Sequence, residues 1–393
     1  MGQDHCRQAV KELSVKGGWK AYDPAVPPRT DRLEILLYLP SLGGGGAERL
    51  FAQLASALVE RGHGVTLVVD TPATENADHL DARVRVVQFD RDHARATLRL
   101  AGLLRTQKPD VSLSALGGQN LKHFVAAFLA GRLRHAAQSC HGFYEGEPKL
   151  LSRLSFLLTA LTSRLMARTV AVSDALRDDL LARFHASPKR TVRIHNGVAS
   201  SDAHGPRVPA EPPIVLACGR LTPDKNYPLL LRAFAEMRGR NSRLVILGEG
   251  SERTSIEAEV ARSGLADRVH MPGYADPAPY YARASSFAIT SDREAFGLVV
   301  VEALAAGLPV VTTPSGGPPE VLGSLGTVVP KGDVLALAAA LDAAVADTSD
   351  GEARRARAKI FSMTRCADAY ETMFSEIVRQ ASPLSPPEGR GLG

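Results

Sequence analysis

Aromatic residues are scarce in this chain: they make up 5% of it, with a single tryptophan. No recognisable nucleic-acid module accompanies the basic residues, which points towards an anionic small molecule or a lipid surface as partner rather than RNA or DNA. Cysteine is equally sparse. The four, Cys6, Cys140, Cys218 and Cys366, lie far apart and never in C-x-x-C spacing. That excludes a structural zinc knot and a disulfide scaffold, and it fits a reducing compartment. Long apolar runs are also missing. Nothing approaches the ~18 to 20 uninterrupted apolar residues that a membrane-crossing helix needs. Met1–Lys20 has no apolar core of signal-peptide length, so the expected location is cytoplasmic.

What is present is enough material for two hydrophobic cores. The chain has 393 residues, 45% of them hydrophobic and 23% charged, the balance of a globular protein. The net charge of +5 conceals an asymmetry: residues 1–200 carry 27 Lys and Arg against 19 Asp and Glu, and the remainder 20 against 23. A basic first half and a mildly acidic second half suggest different tasks.

Residues 1–30 are polar and end in Pro24, Pro27 and Pro28, which reads as a loose tail. From Leu33 an apolar run, a glycine turn, a helical pattern over Glu48–Arg61 and the run Val65–Val69 form a βαβ unit. The alternation continues through a strand at Val84–Phe89, a helix around Ala96–Gln107 and a strand at Val111–Leu113. It then passes through a helix around Ser152–Ala167, a strand at Thr169–Val172 and a helix opened by Ser173. A second series follows the proline-rich stretch Pro206–Pro213, with strands at Ile214–Ala217, Arg243–Leu247, Val269–Met271, Phe287–Thr290 and Pro309–Thr312. Continuous apolar strands between helices predict parallel sheets covered on both faces. The expected architecture is therefore α/β: two doubly wound, Rossmann-like domains, 31–200 and 210–363, facing across a cleft. A helix over 364–381 should cross back to the first domain, and residues 382–393 read as a flexible end.

Three segments carry chemistry. Gly43-Gly44-Gly45-Gly46-Ala47-Glu48 sits between the first strand and the first helix, where glycines let a phosphate or sugar approach a helix N-terminus. No Lys-Ser/Thr follows, so it is not a Walker A loop, and alone it is equally a tight turn. Gly219-Arg220-Leu-Thr-Pro-Asp-Lys225 follows the first strand of the second series. Its two cations suit a pyrophosphate, although a solvated loop would look the same. The third segment runs from Asp292 to Pro309. Phe296-Gly297-Leu298 should open a helix that Gly307 ends. Glu302 falls inside that apolar helix, where a carboxylate is costly unless something binds it; ligand hydroxyls are a natural partner.

In order along the chain stand Gly-Gly-Ala-Glu48, Arg61-Gly-His-Gly-Val, Val172-Ser173, His195-Asn-Gly-Val198, Gly219-Arg-Leu…Lys225-Asn and Leu247-Gly-Glu-Gly250. Pro272-Gly273-Tyr274, the pair Glu294-x7-Glu302 and Gly307-Leu-Pro-Val-Val complete the series. This ordered set resembles the retaining GT-B glycosyltransferases of family 4, the bacterial group 1 transferases of glycan biosynthesis, over about residues 33 to 375. The resemblance implies transfer of a hexose or N-acetylhexosamine from a nucleotide-sugar, weighted towards UDP. The acceptor would be a glycan or lipid-linked molecule of cell-surface polysaccharide, lipopolysaccharide or glycolipid biosynthesis.

It also implies roles. Arg220 and Lys225 would bind the donor diphosphate, and Glu294 the donor sugar. Phe296, Gly297 and Leu298 would offer backbone amides, Glu302 would hold the ribose hydroxyls, and Gly273-Tyr274 would meet the base. The Gly43–Gly46 loop, with Gly45 and Gly46, would approach the diphosphate or acceptor, Gly219 would belong to the donor site, and His141 resembles the donor-contacting histidine. No metal and no cofactor are expected, and reaction would proceed by front-face attack. Two positions depart from the pattern. Asn226 stands where glycine is common, and Glu320, in Pro314-Ser-Gly-Gly-Pro-Pro-Glu320, is either structural or donor-adjacent.

Asp90-Arg-Asp92 has D-x-D spacing, but it lies in a first-domain loop and reads as solvated charge. Lys122, Arg132, Arg134, Lys149, Arg153, Arg164 and Arg168 cluster in or beside apolar helices. Between 111 and 173 only Glu145 and Glu147 oppose them. This pattern fits peripheral contact with an anionic inner membrane, or ordinary solvated helix faces. Two other readings remain open at this point: a sugar-nucleotide epimerase of the same shape, and a non-catalytic scaffold.

Overall fold

The computed structural model describes residues 32–72, 75–89, 91–147, 149–199 and 208–381. The tails expected at 1–30 and 382–393, together with Cys6 and Asp90, lie outside the described residues.

The first half builds one parallel sheet from β1 (Glu34–Leu39), β2 (Gly64–Val69), β3 (Arg85–Gln88), β4 (Val111–Ala115), β5 (Ala136–Cys140), β6 (Arg168–Ala171) and β7 (Thr191–Arg193). Their spatial order is 3-2-1-4-5-6-7. Six helices connect them: α1 (Gly46–Glu60), α2 (His93–Gln107), α3 (Gly117–Leu129), α4 (Leu150–Leu157), α5 (Thr159–Leu165) and α6 (Asp174–Phe184). The strands are apolar because helices cover both faces. Ile35, Leu37 and Leu39 pack towards α1, while Leu36 and Tyr38 face α2 and α3.

The second half repeats the plan. Strands β8 (Ile214–Cys218), β9 (Arg243–Leu247), β10 (Val269–Gly273), β11 (Ser286–Ile289), β12 (Val310–Thr312) and β13 (Thr327–Val328) run parallel in the order 10-9-8-11-12-13. Its helices are α7 (Tyr227–Glu236), α8 (Arg253–Arg262), α9 (Ala278–Arg283), α10 (Leu298–Ala305), α11 (Gly317–Leu322), α12 (Val334–Val345) and α13 (Glu352–Ala358). In each sheet the strand order reverses beside the first strand, between β1 and β4 and between β8 and β11. Loops leaving the carboxyl ends at such a point make ligand crevices.

A last helix, α14 (Met363–Ala381), has a strong apolar stripe and buries it in the first half. Met363, Cys366, Tyr370, Phe374 and Ile377 join the core formed by β1 and α1. The chain enters this helix through hydrogen bonds from Val198 N–H to the Phe361 carbonyl at 2.9 Å and from Met363 N–H to the Val198 carbonyl at 2.9 Å. The His195-Asn-Gly-Val198 segment therefore holds the returning chain. A Cβ on Gly197 would lie 2.7 Å from both Cys366 Cβ and Met363 Cα.

Two expectations need correction. The single helix around Ser152–Ala167 is two, α4 and α5, broken at Leu158. There Thr159 turns its hydroxyl back to the Ser155 carbonyl at 3.1 Å, a bond that bends helices. The basic cluster is also smaller than the sequence suggests. Lys122 is 4% exposed and ion-paired with Asp70, which also accepts from Tyr38 (2.7 Å) and Gln119 (3.0 Å). Arg168 is bound by Glu376 and Gln380 of α14. Neither faces solvent as a free charge.

Candidate active site

The carboxyl ends of the two sheets approach each other. The start of α1 meets the start of α10, so that a Cβ on Gly46 would lie 3.0 Å from Leu298 Cδ1. Phe143, after β5, packs on Gly316, after β12, where a Cβ would meet its ring at 2.9 Å. Glu145 lies 3.9 Å from Arg293. Between these contacts an open cavity of about 320 Å³ is lined by Glu145, Glu147, Asp224, Asp292 and Arg293, with Gly146 and Pro223.

Lys225 ends a short 3-10 turn after β8 and is ion-paired with Glu294; Asp224 stands 3.9 Å away. The lysine's main chain is pinned as well. The Thr290 hydroxyl, at the end of β11, donates to the carbonyls of Lys225 and Asn226, each at 3.1 Å. Asn226 has φ of 51°, the left-handed region. Its side chain donates to Asp292 at 3.1 Å and accepts from Leu229 N–H at 3.4 Å, capping α7. The departure from glycine is thereby accounted for, because Asn is the residue that best tolerates this conformation with a side chain.

Arg220 is exposed, and it is close enough to Glu48 and Glu147 to favour their charged forms. Burial dominates at both carboxyls and raises their pKa values. The loop holding Arg220 needs glycine behind it. Gly248 has φ of 135°, and a Cβ there would lie 2.0 Å from the Gly219 carbonyl oxygen. Gly219 N–H in turn donates to the Leu247 carbonyl at 2.9 Å. This explains why Leu247-Gly-Glu-Gly250 accompanies Gly219-Arg220: two loops share one space.

Glu294 is fixed through its backbone. Its N–H donates to the Ser315 carbonyl and its carbonyl accepts from Gly317 N–H, both at 2.8 Å. A Cβ on Gly317 would lie 2.4 Å from Phe296 Cα, so the two glycines after Ser315 serve close packing beneath Glu294. Gly297, with φ of 90°, caps α10, and Leu298 begins that helix. The Phe296 side chain is buried against His195 (5.7 Å) and Phe361 (5.6 Å). Gly273 ends β10, and Tyr274 beside it is 78% exposed.

Glu302 is 7% exposed within α10. It is ion-paired with Arg49 of α1, and its Oε2 accepts from the Tyr281 hydroxyl at 3.0 Å. Neither partner stands out in the sequence. For Arg49 the one available signal is its place in the first turn of a helix, where a cation opposes the helix dipole. Gly45 caps that helix, and the Glu48 carboxylate folds back over it: a Cβ on Gly45 would lie 2.1 Å from Oε2.

His141 follows β5. Its Nε2 lies 2.8 Å from the Ser139 hydroxyl, and its ring meets Phe51 edge-on at 5.6 Å. Nδ1 is buried and has no hydrogen-bond partner among the described residues. Burial lowers the imidazole pKa to about 4, so the ring is neutral near pH 7. A buried orphan nitrogen is a hydrogen bond waiting for a partner.

Glu320 belongs to the scaffold. It lies 2.6 Å from His195 and accepts from the Asp174 N–H at 2.8 Å, tying α11 to the start of α6. Asp92 caps α2, accepting from Arg95 N–H at 2.9 Å, which fixes its role as local. Among the described residues no group of three or more His, Cys, Asp or Glu could hold a metal ion.

Two Rossmann-like parallel sheets facing across a cleft lined by paired cations and carboxylates make up the GT-B architecture. Family comparison agrees over most of the chain: the model for Glycosyltransferase Family 4 matches residues 44–202, and that for Glycosyl transferases group 1 matches residues 202–360. The chain belongs to the GT-B glycosyltransferases of family 4 and is a glycosyltransferase. It is 28% identical, over 353 residues, to the lipopolysaccharide core biosynthesis glycosyltransferase LpsE of Rhizobium meliloti, covering 86% of this chain and 93% of that protein. Anabaena HepE in complex with UDP and glucose has the same fold, with a TM-score of 0.76 at 20% identity over 88% of this chain and all of that one. So has the lipopolysaccharide outer core galactosyltransferase WaaB, with a TM-score of 0.69 at 16% identity over 87% and 99%.

Proposed function

We propose that the protein transfers a hexose or N-acetylhexosamine from a UDP-sugar to a lipopolysaccharide-core or lipid-linked glycan, with retention and without a metal. The observation that carries this reading is the Lys225–Glu294 ion pair at the carboxyl ends of β8 and β11, with Arg220 on the same loop as Lys225 and close enough to Glu48 of α1 to act on its charge. Lys225 and Arg220 would neutralise the diphosphate as it departs, which replaces the charge a metal would bring. Glu294 would accept from the sugar hydroxyls and Glu302 from the ribose. His141, neutral and with Nδ1 unpartnered, would complete a hydrogen bond to the donor. In front-face attack the acceptor hydroxyl's proton passes to a phosphate oxygen of the leaving nucleoside diphosphate, so no carboxylate has to act as nucleophile. The protein's part is placement and charge stabilisation. The relatedness to LpsE over nearly its whole length and the UDP and glucose bound by HepE support the substrate class.

A second observation bears on where the acceptor is met. Among the described residues, nine of the fourteen exposed large hydrophobics fall between Leu98 and Leu165. Phe128 of α3 is 64% exposed, Leu150 and Leu157 of α4 are 81% and 61%, and Leu161 of α5 is 48%. Lys149, Arg153 and Arg164 lie on the same helices or beside them. An apolar face edged by cations suits the surface of an anionic membrane. Leu150 comes three residues after Glu147, which lines the cavity, so docking there would bring a lipid-linked acceptor to the site. No helix among the described residues is long and apolar enough to cross a membrane.

Turnover of UDP-hexoses with lipopolysaccharide-core oligosaccharides, with the product anomer read by NMR, tests the reaction. Formation of an α-linked product from an α-linked donor in excess chelator is the expected result. An inverted product, or sugar isomerisation without an acceptor, would overturn it. Vesicles containing anionic lipid should retain the protein at low salt and release it at high salt. Retention that is absent at low salt would remove the membrane from the account.

A further inference from the structure

We infer that Arg49 is a positioning residue of the donor site, lent by the first half of the molecule, which fixes the Glu302 carboxylate for the ribose hydroxyls. The inference rests on the reading of Glu302 as the ribose contact given above.

Glu302 sits in an apolar helix, and a carboxylate there is retained only with partners. The structure supplies two, one for each oxygen: Arg49 on Oε1 and the Tyr281 hydroxyl on Oε2. A carboxylate oxygen has two lone pairs, so one on each oxygen remains for a ligand. Two neighbouring acceptor positions held by a rigid pair of donors match a vicinal diol. Arg49 does not have to leave for the ribose to bind. It keeps the carboxylate charged and in one rotamer, which is what raises its power to discriminate hydroxyls from hydrogen.

The geometry adds a consequence. Tyr281 and Glu302 belong to the second half, whereas Arg49 stands in the first turn of α1. The contact between Gly46 and Leu298 lies one turn away on the same two helices. The ribose site is therefore complete only when the two halves are closed on each other, and nucleotide recognition reports closure. A cation in the first turn of a helix is locally unfavourable, and a role across the cleft explains its presence.

The test uses the full chain and two probes, UDP and 2′,3′-dideoxy-UDP, titrated calorimetrically. Wild type should bind UDP roughly 10-fold or more tighter than the dideoxy compound, the size of a charge-assisted hydrogen-bond pair. In Arg49→Met, which keeps length and loses charge, that ratio should fall to about 1 to 2, while affinity for dideoxy-UDP holds. Arg49→Lys should give an intermediate ratio, since a point charge replaces the planar fork. If Arg49→Met does not fold, Arg49→Gln is read in the same way. An undiminished ratio in the folded Met or Gln variant overturns the proposal. Wild type that binds both probes equally also overturns it, while leaving the diphosphate contacts standing. Wild type that binds neither probe overturns instead the donor-site reading beneath it.

Discussion

Glu320 of α11 lies 2.6 Å from the imidazole of His195, on the opposite half of the molecule. The same carboxylate accepts from the Asp174 N–H at 2.8 Å and stands 3.4 Å from Arg193. These bonds, rather than apolar area alone, register the loop under Glu294 against the first sheet. Burial opposes the Glu320 charge, yet His195 and the Asp174 amide outweigh it and hold its pKa below the usual carboxylate range.

Replacing Glu320 by alanine should therefore destabilise the protein by about 1 to 3 kcal/mol, because the Asp174 amide loses its partner. Chemical denaturation would measure this. Glu320→Gln should recover part of the loss, since an amide oxygen can still accept from Asp174. A role confined to this frame predicts that donor KM in Glu320→Gln stays near wild type; a large rise would place Glu320 in the donor site instead.

Asn226 tests the backbone argument. At φ of 51° a β-carbon without a local hydrogen bond is strained. Asn226→Ala should cost about 1 to 2 kcal/mol and weaken the placement of Lys225 next to it. Asn226→Gly should be close to neutral in thermal melting, as the family's common glycine suggests. Equal melting temperatures for the Ala variant and wild type would show that the turn is not held as described.

His123 is enclosed in the first half, with its ring nitrogens 3.0 and 2.8 Å from the Ser114 and Ser112 hydroxyls. Burial lowers its pKa from 6.5 to about 4. Between those values the unfolded chain binds a proton that the folded chain does not, so stability falls as the pH drops from about 6.5 towards 4. The loss attributable to this residue approaches about 3 kcal/mol at the acid end. His141, lowered to about 4 by burial, acts in the same direction. Denaturant midpoints measured from pH 7 to pH 4 should show the decline, and His123→Gln should flatten it. An unchanged slope in that variant would contradict the assignment.

Much of this was legible in the sequence for a physical reason: buried parallel strands are continuous apolar runs, and glycine marks their carboxyl-end loops. The strand Arg243–Leu247 and the helix after Ser173 fall where the pattern puts them. Strand β5 lacks that signal because it carries Gln138 and Ser139 in place of apolar residues. Their polarity is satisfied internally, Gln138 donating to Thr162 at 2.9 Å and Thr169 at 3.0 Å. Helix α3 lacks it for a like reason, since Gln119, Asn120, Lys122 and His123 are all buried on its inward face. Lys225 and Glu294, which the structure brings together, were readable from motif order. Arg49 and Tyr281 were not: Arg49 meets Glu302 across the cleft, 253 residues away in sequence, and Tyr281 meets it from a neighbouring helix of the same half, contacts that no local pattern encodes. Lys122 differs in the other direction: its sequence surroundings suit a surface cation, but its partner Asp70, 52 residues away, holds it inside.

The central claim is that Lys225 and Glu302 belong to one nucleotide-sugar site. Thermal melting of wild type, Lys225→Ala and Glu302→Gln with UDP, GDP and ADP tests it most directly. The account predicts that UDP raises the wild-type midpoint by several degrees and that both variants lose the response while remaining folded. Turnover in Lys225→Ala should fall by the equivalent of about 2 to 4 kcal/mol. No response of wild type to any of the three nucleotides, or an equal response in Lys225→Ala, would contradict it.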